Sequence, residues 1–269
     1  MMLGTFVAYI ITRVFMPFAL KVFGSLEWTK ENFMGRKIPA GTGILLIPLS
    51  VAVPFVWYDS ILPSVIFFYG SALIIMGFVG LYDDIFGDTK IKGLKGHFKN
   101  LVFKGRVTSG IIKAFAGVII ALAGAFLLAV KPVEIMVAFL IILLFTNAFN
   151  LFDLRPGRCI KVFFLTAIFL IIMAYYLGKN NILLLYPLLG CILAYAPFDF
   201  KGRSMLGDAG SNTIGISVGI ISVLVLPFLI NIILVLVLIM LHWYTEKNSL
   251  NSIIESNHFL NRIDNWGRS

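Results

Sequence analysis

The stretch LPSVIFFYGSALIIMGFVGLYDD, residues 62–84, carries no charge until its last two positions. About twenty consecutive apolar residues in a helix cover roughly the 30 Å of a bilayer's hydrocarbon core. The reading is a membrane span over 62–81 with Asp83 and Asp84 just beyond it. Acids at a helix C-terminus oppose the macrodipole, so an adjacent pair asks for a partner such as a metal ion or a ring of lysines. A solvated helix end is the plainer account, and two acids side by side argue for function.

The rest of the chain follows the same pattern. Of its 269 residues, 59% are hydrophobic and 13% charged, with a mean hydropathy of +0.97. Soluble domains carry about 25% charge, so this is read as an integral membrane protein. The opening apolar stretch has no basic flank before it and no small-residue cleavage site, so the first span is expected to be retained. Cys159 and Cys191 make no disulfide framework. The formal net charge of +9 suits anionic headgroups, an anionic substrate or orientation signals, and its distribution decides between them. No nucleic-acid partner is expected.

Apolar runs place spans near 2–22, 42–58, 62–81, 108–129, 133–152, 160–178, 181–196, 211–228 and 230–244. Only Pro227 and Asn231 interrupt the final run, so one long kinked helix competes with two spans there. The expected fold is an all-α polytopic transmembrane bundle of about nine spans, one domain over 1–269. Loops 23–41, 82–107, 153–159 and 197–210 and the tail 245–269 then share a side. Eighteen of the 22 Lys and Arg lie in or beside those segments. Lys131 and Lys179 sit on the opposite connections, and Arg13 and Lys113 lie within spans. The positive-inside rule makes the basic side cytoplasmic, with the N-terminus outside and the C-terminus cytoplasmic.

Three polar clusters share that basic side. Asp83-Asp84 is the first. Asn147, Asn150 and Asp153 are spaced three apart and run along one helix face into the basic turn Arg155-Pro156-Gly157-Arg158. Interhelical hydrogen bonding would also explain the asparagines. Gly207-Asp208-Ala209-Gly210-Ser211 opens the eighth span, where glycines let backbone amides approach an anion, and Asp208 or Ser211 could equally cap the helix. Lys113, a turn or two inside the fourth span, either snorkels to the interface or reaches back to a phosphate. His97, His242 and His258 lack metal spacing, although His97 lies in the lysine-rich stretch 93–99, which is expected to lie on the bilayer surface. Clustered intramembrane carboxylates mark a functional site, and beside basic loops they suit a divalent cation with a phosphorylated substrate. A transporter would place such groups near the midplane instead.

In these residues the chain resembles the polyprenyl-phosphate N-acetylhexosamine-1-phosphate transferases of glycosyl transferase family 4. Arg36-Lys37-Ile38-Pro39-Ala40-Gly41-Thr42-Gly43 is similar to the family's Lys-x-Pro-Thr-x-Gly-Gly loop. Asp83-Asp84 is similar to its Asp-Asp motif, Asn147 to Asp153 to its Asn-x-x-Asn-x-x-Asp motif, and Leu206 to Ser211 to its Met-Gly-Asp-Thr-Gly-Ser motif. The four stretches fall in the family's order over about residues 30–220.

The resemblance implies Mg²⁺-dependent transfer of a sugar-1-phosphate from a UDP-sugar to undecaprenyl phosphate, releasing UMP, in envelope glycan synthesis at a bacterial inner membrane. By analogy Asp208, with Asp83 and Asp84, holds the metal and carries the catalysis. Asn147, Asn150 and Asp153 contact the nucleotide-sugar, Lys37 and Lys113 neutralise diphosphate charge, and a homodimer is implied. Pro156 stands where the family pattern has a second aspartate, and Arg155 and Arg158 could replace lost contacts with phosphate-directed ones. His97 could meet phosphate from its lysine-rich loop. The tail holds a single histidine, His258, instead of a His-rich motif, and there is one span fewer than in ten-span relatives. The alternative reading is a non-catalytic polyprenyl-phosphate-binding or regulatory membrane protein on the same fold.

Overall fold

The computed structural model describes residues 2–32, 34–87 and 107–268. Among the described residues nine helices make the bundle: α1 (Met2–Ser25), α2 (Ile47–Trp57), α3 (Pro63–Phe86), α4 (Ser109–Leu128), α5 (Pro132–Phe152), α6 (Arg158–Leu177), α7 (Leu185–Phe200), α8 (Gly207–Val225) and α9 (Phe228–Lys247). An antiparallel hairpin, β1 (Thr29–Glu31) and β2 (Lys37–Pro39), follows α1 and pairs Thr29 with Pro39 and Glu31 with Lys37. The tail ends in two short helices, α10 (Leu250–Ser256) and α11 (His258–Asn265).

Among the described residues, eight helices are long and apolar enough to cross a membrane. This is the all-α polytopic bundle expected. The stretch expected as a span over 42–58 is built differently, as a 3₁₀ turn over Thr42–Leu46 running into the short α2. Pro48 in the first turn of α2 and Pro54 inside it each withhold a backbone donor, which disfavours one long regular helix. At the other end of the chain α8 stops at Val225 and α9 starts at Phe228, with Pro227 between them. Proline restrains the residue before it away from helical angles, so two helices form instead of one kinked rod.

Helix α8 is the axis of the bundle. Its apolar window is 83% buried, against 17% for α9, which faces outward. Small residues explain the difference: a Cβ on Gly215 would meet Thr146 Cα at 2.6 Å, and one on Gly219 would meet Ile142 Cα at 2.8 Å. Such residues let α5 pack its backbone against α8, and α3 packs closely on another side.

Two helices overrun their expected ends, and this positions the site. Helix α3 continues to Phe86, so Asp83 and Asp84 lie in its last turn. Helix α8 begins at Gly207, so Asp208 lies in its first turn.

Candidate functional site

Asp83, Asp208 and Lys113 reach one point from three helices. The Lys113 ammonium donates to Asp83 Oδ2 at 2.8 Å and to Asp208 Oδ2 in a still closer contact. The three side chains are 15–23% exposed. Lys113 thus bridges a carboxylate in the last turn of α3 and one in the first turn of α8. Charges held in this way at a helix-bundle surface are paired, as part-burial demands.

Asp84 points elsewhere, because consecutive helical residues diverge by about 100°. Its Oδ1 accepts from Lys30 Nζ at 3.1 Å, and its Oδ2 accepts from the backbone N–H of Ala209 at 3.0 Å. It therefore ties the hairpin and α3 to the N-terminus of α8, where its charge suits the helix dipole. Gly207 stands at φ 68 against this carboxylate, and a side chain there would strike Asp84 Oδ2 at 2.4 Å. The loop after β2 docks on the same turn. Met205 N donates to Pro39 O at 2.8 Å, Gly43 N to Leu206 O at 3.1 Å, and Thr42 Oγ1 to Met205 O at 2.9 Å. A Cβ on Gly43 would lie 2.2 Å from Gly210 Cα. Lys37 is exposed on β2 opposite Glu31, and it is Lys30 of β1 that reaches a site carboxylate.

The asparagine stripe is divided. Asn150 Oδ1 accepts from Ser211 Oγ at 3.1 Å, joining α5 to α8, whereas Asn147 is exposed. Asp153 follows α5 and lines a narrow slot of about 40 Å³ with Pro156, Asp199 and Ser204. Burial pushes its carboxyl well above the ordinary value, the carboxylates of Asp199, Asp84 and Asp208 push the same way, and the Gly207 N–H offsets part of this. Asp199, not singled out in the sequence, is buried and accepts from Gly157 N at 2.6 Å. It fastens the Asp153–Arg158 turn to the end of α7. Like Asp83-Asp84 it is an acid at the end of an apolar helix, which was the signal available for it.

Arg158 faces the C-terminal tail. Its Nε and one Nη each donate to Asp264 at 2.8 Å, and the other Nη donates to Asn251 Oδ1 at 2.8 Å. It is 4% exposed, and its role is to clamp the tail onto the α5–α6 turn. Arg268 joins the clamp, donating from Nε to Pro156 O at 2.8 Å and lying 2.9 Å from Asp264. Burial pushes the Asp264 pKa up, but the guanidinium groups of Arg158 and Arg268 outweigh it and hold the carboxyl below its ordinary value. Arg155 lies 3.4 Å from Glu255 and lines an open pocket of about 440 Å³ with Met34, Asn261 and Arg268. His97 lies outside the described residues.

Among the described residues no group of three or more His, Cys, Asp or Glu side chains is placed to hold a metal ion. The expected convergence of Asp83, Asp84 and Asp208 on one ion is corrected to a pair, because Asp84 is committed to Lys30 and Ala209. The pair still fits Mg²⁺, which is usually bound by one or two carboxylates, with water and substrate phosphates completing the shell. The Lys113 ammonium marks a place between them where a cation is favourable. The family model described as Glycosyl transferase family 4 matches residues 65–226, well over half the chain. No curated protein sequence matches it.

Proposed function

The chain belongs to glycosyl transferase family 4, and from that premise we propose that it moves a sugar-1-phosphate from a UDP-sugar to a polyprenyl phosphate, releasing UMP. Family membership itself implies a glycosyl or phospho-sugar transferase in a membrane. The observation that carries the finer reading is the pair Asp83 and Asp208, delivered by separate helices onto one lysine ammonium. The site would face the cytoplasm of a bacterial cell, because the basic loops surround it.

In this reading an oxygen of the lipid monophosphate attacks the phosphorus that carries the sugar. The bond from that phosphorus to the oxygen bridging to UMP breaks, and UMP leaves with the oxygen. A monophosphate is largely ionised near neutral pH, so the nucleophile needs little help from a base, and repulsion between anions is the larger barrier. Lys113 would exchange a carboxylate for a phosphate oxygen and offset that repulsion. Asp83 and Asp208 would hold Mg²⁺, which when bound neutralises charge on the transferring phosphoryl group. Asp153 would contact the nucleotide-sugar, with Asn150 in the last turn of α5 and Arg155 on the turn that follows it. Asp84 would act by position, holding the first turn of α8 so that Asp208 is presented correctly.

Purified protein mixed with undecaprenyl phosphate, Mg²⁺ and a panel of radiolabelled UDP-sugars should release UMP, and Asp208→Ala should abolish release. Lipid binding without turnover on any donor would instead establish the non-catalytic alternative, which the conversion of Arg158 into a structural clamp favours.

A further inference from the structure

We propose that α11 lies in the membrane interface, with its apolar face sunk into the leaflet on the basic side of the bundle, and so carries the Asp153–Arg158 turn at a set depth. The inference does not depend on which reaction the protein catalyses.

Helix α11 and the residue after it read His258-Phe259-Leu260-Asn261-Arg262-Ile263-Asp264-Asn265-Trp266. At about 100° per residue, Trp266, Phe259, Ile263 and Leu260 fall within one arc of roughly 120°. They are 77%, 70%, 41% and 41% exposed. Asn261, Asp264 and Asn265 occupy the opposite side, where they line the open pocket and Asp264 is buried against Arg158. One face is committed to the protein, then, and the other is a contiguous apolar strip left exposed among the described residues.

The position of the helix argues for lipid as its occupant. Lys161, in the first turn of α6, donates to the backbone carbonyls of Ile263 and Asp264 at 3.0 and 2.7 Å. Helix α11 therefore lies within one lysine side chain of the place where a membrane span begins. Upstream, only Asn248–Asn257 separates it from the end of α9, another span. That end of α9 presents Trp243 and Tyr244 outward, with Lys247 stacked 4.1 Å over the Trp243 ring, as expected of a boundary belt. Arg262 flanks the apolar arc and complements anionic headgroups. An apolar arc with an aromatic end and a cationic edge is how interfacial helices bind.

The test labels single introduced cysteines in the full chain, since Cys159 and Cys191 are buried. Phe259→Cys, Ile263→Cys and Asn261→Cys would each carry a solvent-sensitive maleimide dye. Each would be reconstituted into phosphatidylglycerol–phosphatidylcholine vesicles, with and without lipids brominated high on the acyl chain. The expected result is loss of fluorescence to bromolipid at 259 and 263 and retention at 261, independent of the protein-to-lipid ratio. Equal and weak bromolipid quenching at all three positions, with free access to aqueous iodide, would overturn the proposal. So would shielding at 259 that disappears on dilution in the membrane, because a second copy would then be the occupant. Size exclusion in detergent verifies that each variant is folded before it is scored.

Discussion

Replacing Arg158 with methionine should release the C-terminal tail. Arg158 and Asp264 are 5% and 8% exposed, and two contacts of 2.8 Å join them. Removing one partner of such a buried pair costs about 3–5 kcal/mol, because the other charge stays desolvated and unpaired. Arg268 remains 2.9 Å from Asp264 and recovers part of this, which leaves a cost of about 2–3 kcal/mol. The lost contacts are those fastening α10 and α11, so the change falls on local opening and not on the bundle. When reclosing outpaces cleavage, the cleavable population rises with the opening constant, and 1.4 kcal/mol is tenfold. Trypsin should therefore cut after Arg262 roughly 30- to 150-fold faster in Arg158→Met than in the wild type. Intact-mass spectrometry of micellar protein over a digestion time course would read this. Asp264→Asn should loosen the tail as well, and the double variant should fall short of the sum of the two. A tail cut at the wild-type rate in Arg158→Met would refute the clamp.

Lys113→Met should lower kcat/KM by about 100-fold or more, the usual loss when one preorganised donor to a developing charge is removed; nucleoside monophosphate release measures it, and an unchanged rate would detach Lys113 from the chemistry. Gly43→Ala places a methyl 2.2 Å from Gly210 Cα, which backbone movement alone can relieve, at about 1–3 kcal/mol; the thermal midpoint in detergent should fall by roughly 2–12 °C. The tail should also respond to acid. Asp264 has a folded pKa below its unfolded one, so its stabilising contribution is complete above the ordinary carboxylate value and is lost as pH falls through the folded pKa. Tryptic cleavage cannot be read in acid, but pepsin can replace it. Pepsin should cut the wild-type tail increasingly as pH drops below about 4, whereas Asp264→Asn should show no such dependence.

The membrane architecture was readable because hydropathy and basic-loop asymmetry are strong, additive signals spread over many residues. Eight of the nine expected segments reappear as long apolar helices, and the ninth, 42–58, is shortened by its own prolines. The carboxylates themselves were also readable, as charges where charge is costly. What each one touches was not. Asp83 and Asp84 are neighbours in sequence and look equivalent, yet α3 continues far enough to turn one towards Lys113 and the other towards Lys30 and the amide of Ala209. Helix ends are known from sequence only to within a few residues, and a shift of one residue here rotates the roles by about 100°. The role of Lys30 is hidden for a related reason, because it lies in a long-range contact that no local pattern announces.

The turn 153–158 shows how a local departure and a distant segment can compensate for each other. Pro156 lacks the side chain that an aspartate would bring, and its carbonyl instead accepts from Arg268. Arg158, which lies within the matched region 65–226, is buried and so requires an acid, and that acid is Asp264, beyond the match. Without residues 251–268 the buried guanidinium would stand without the carboxylate and amide that satisfy it, a cost several times that of a surface charge. The turn that holds Asp153 beside Asp199 is therefore stable only as a unit with the tail. If donor recognition uses that turn, a change at Asp264 should alter KM for the nucleotide-sugar more than it alters affinity for the lipid, although Asp264 touches neither in the reading given above.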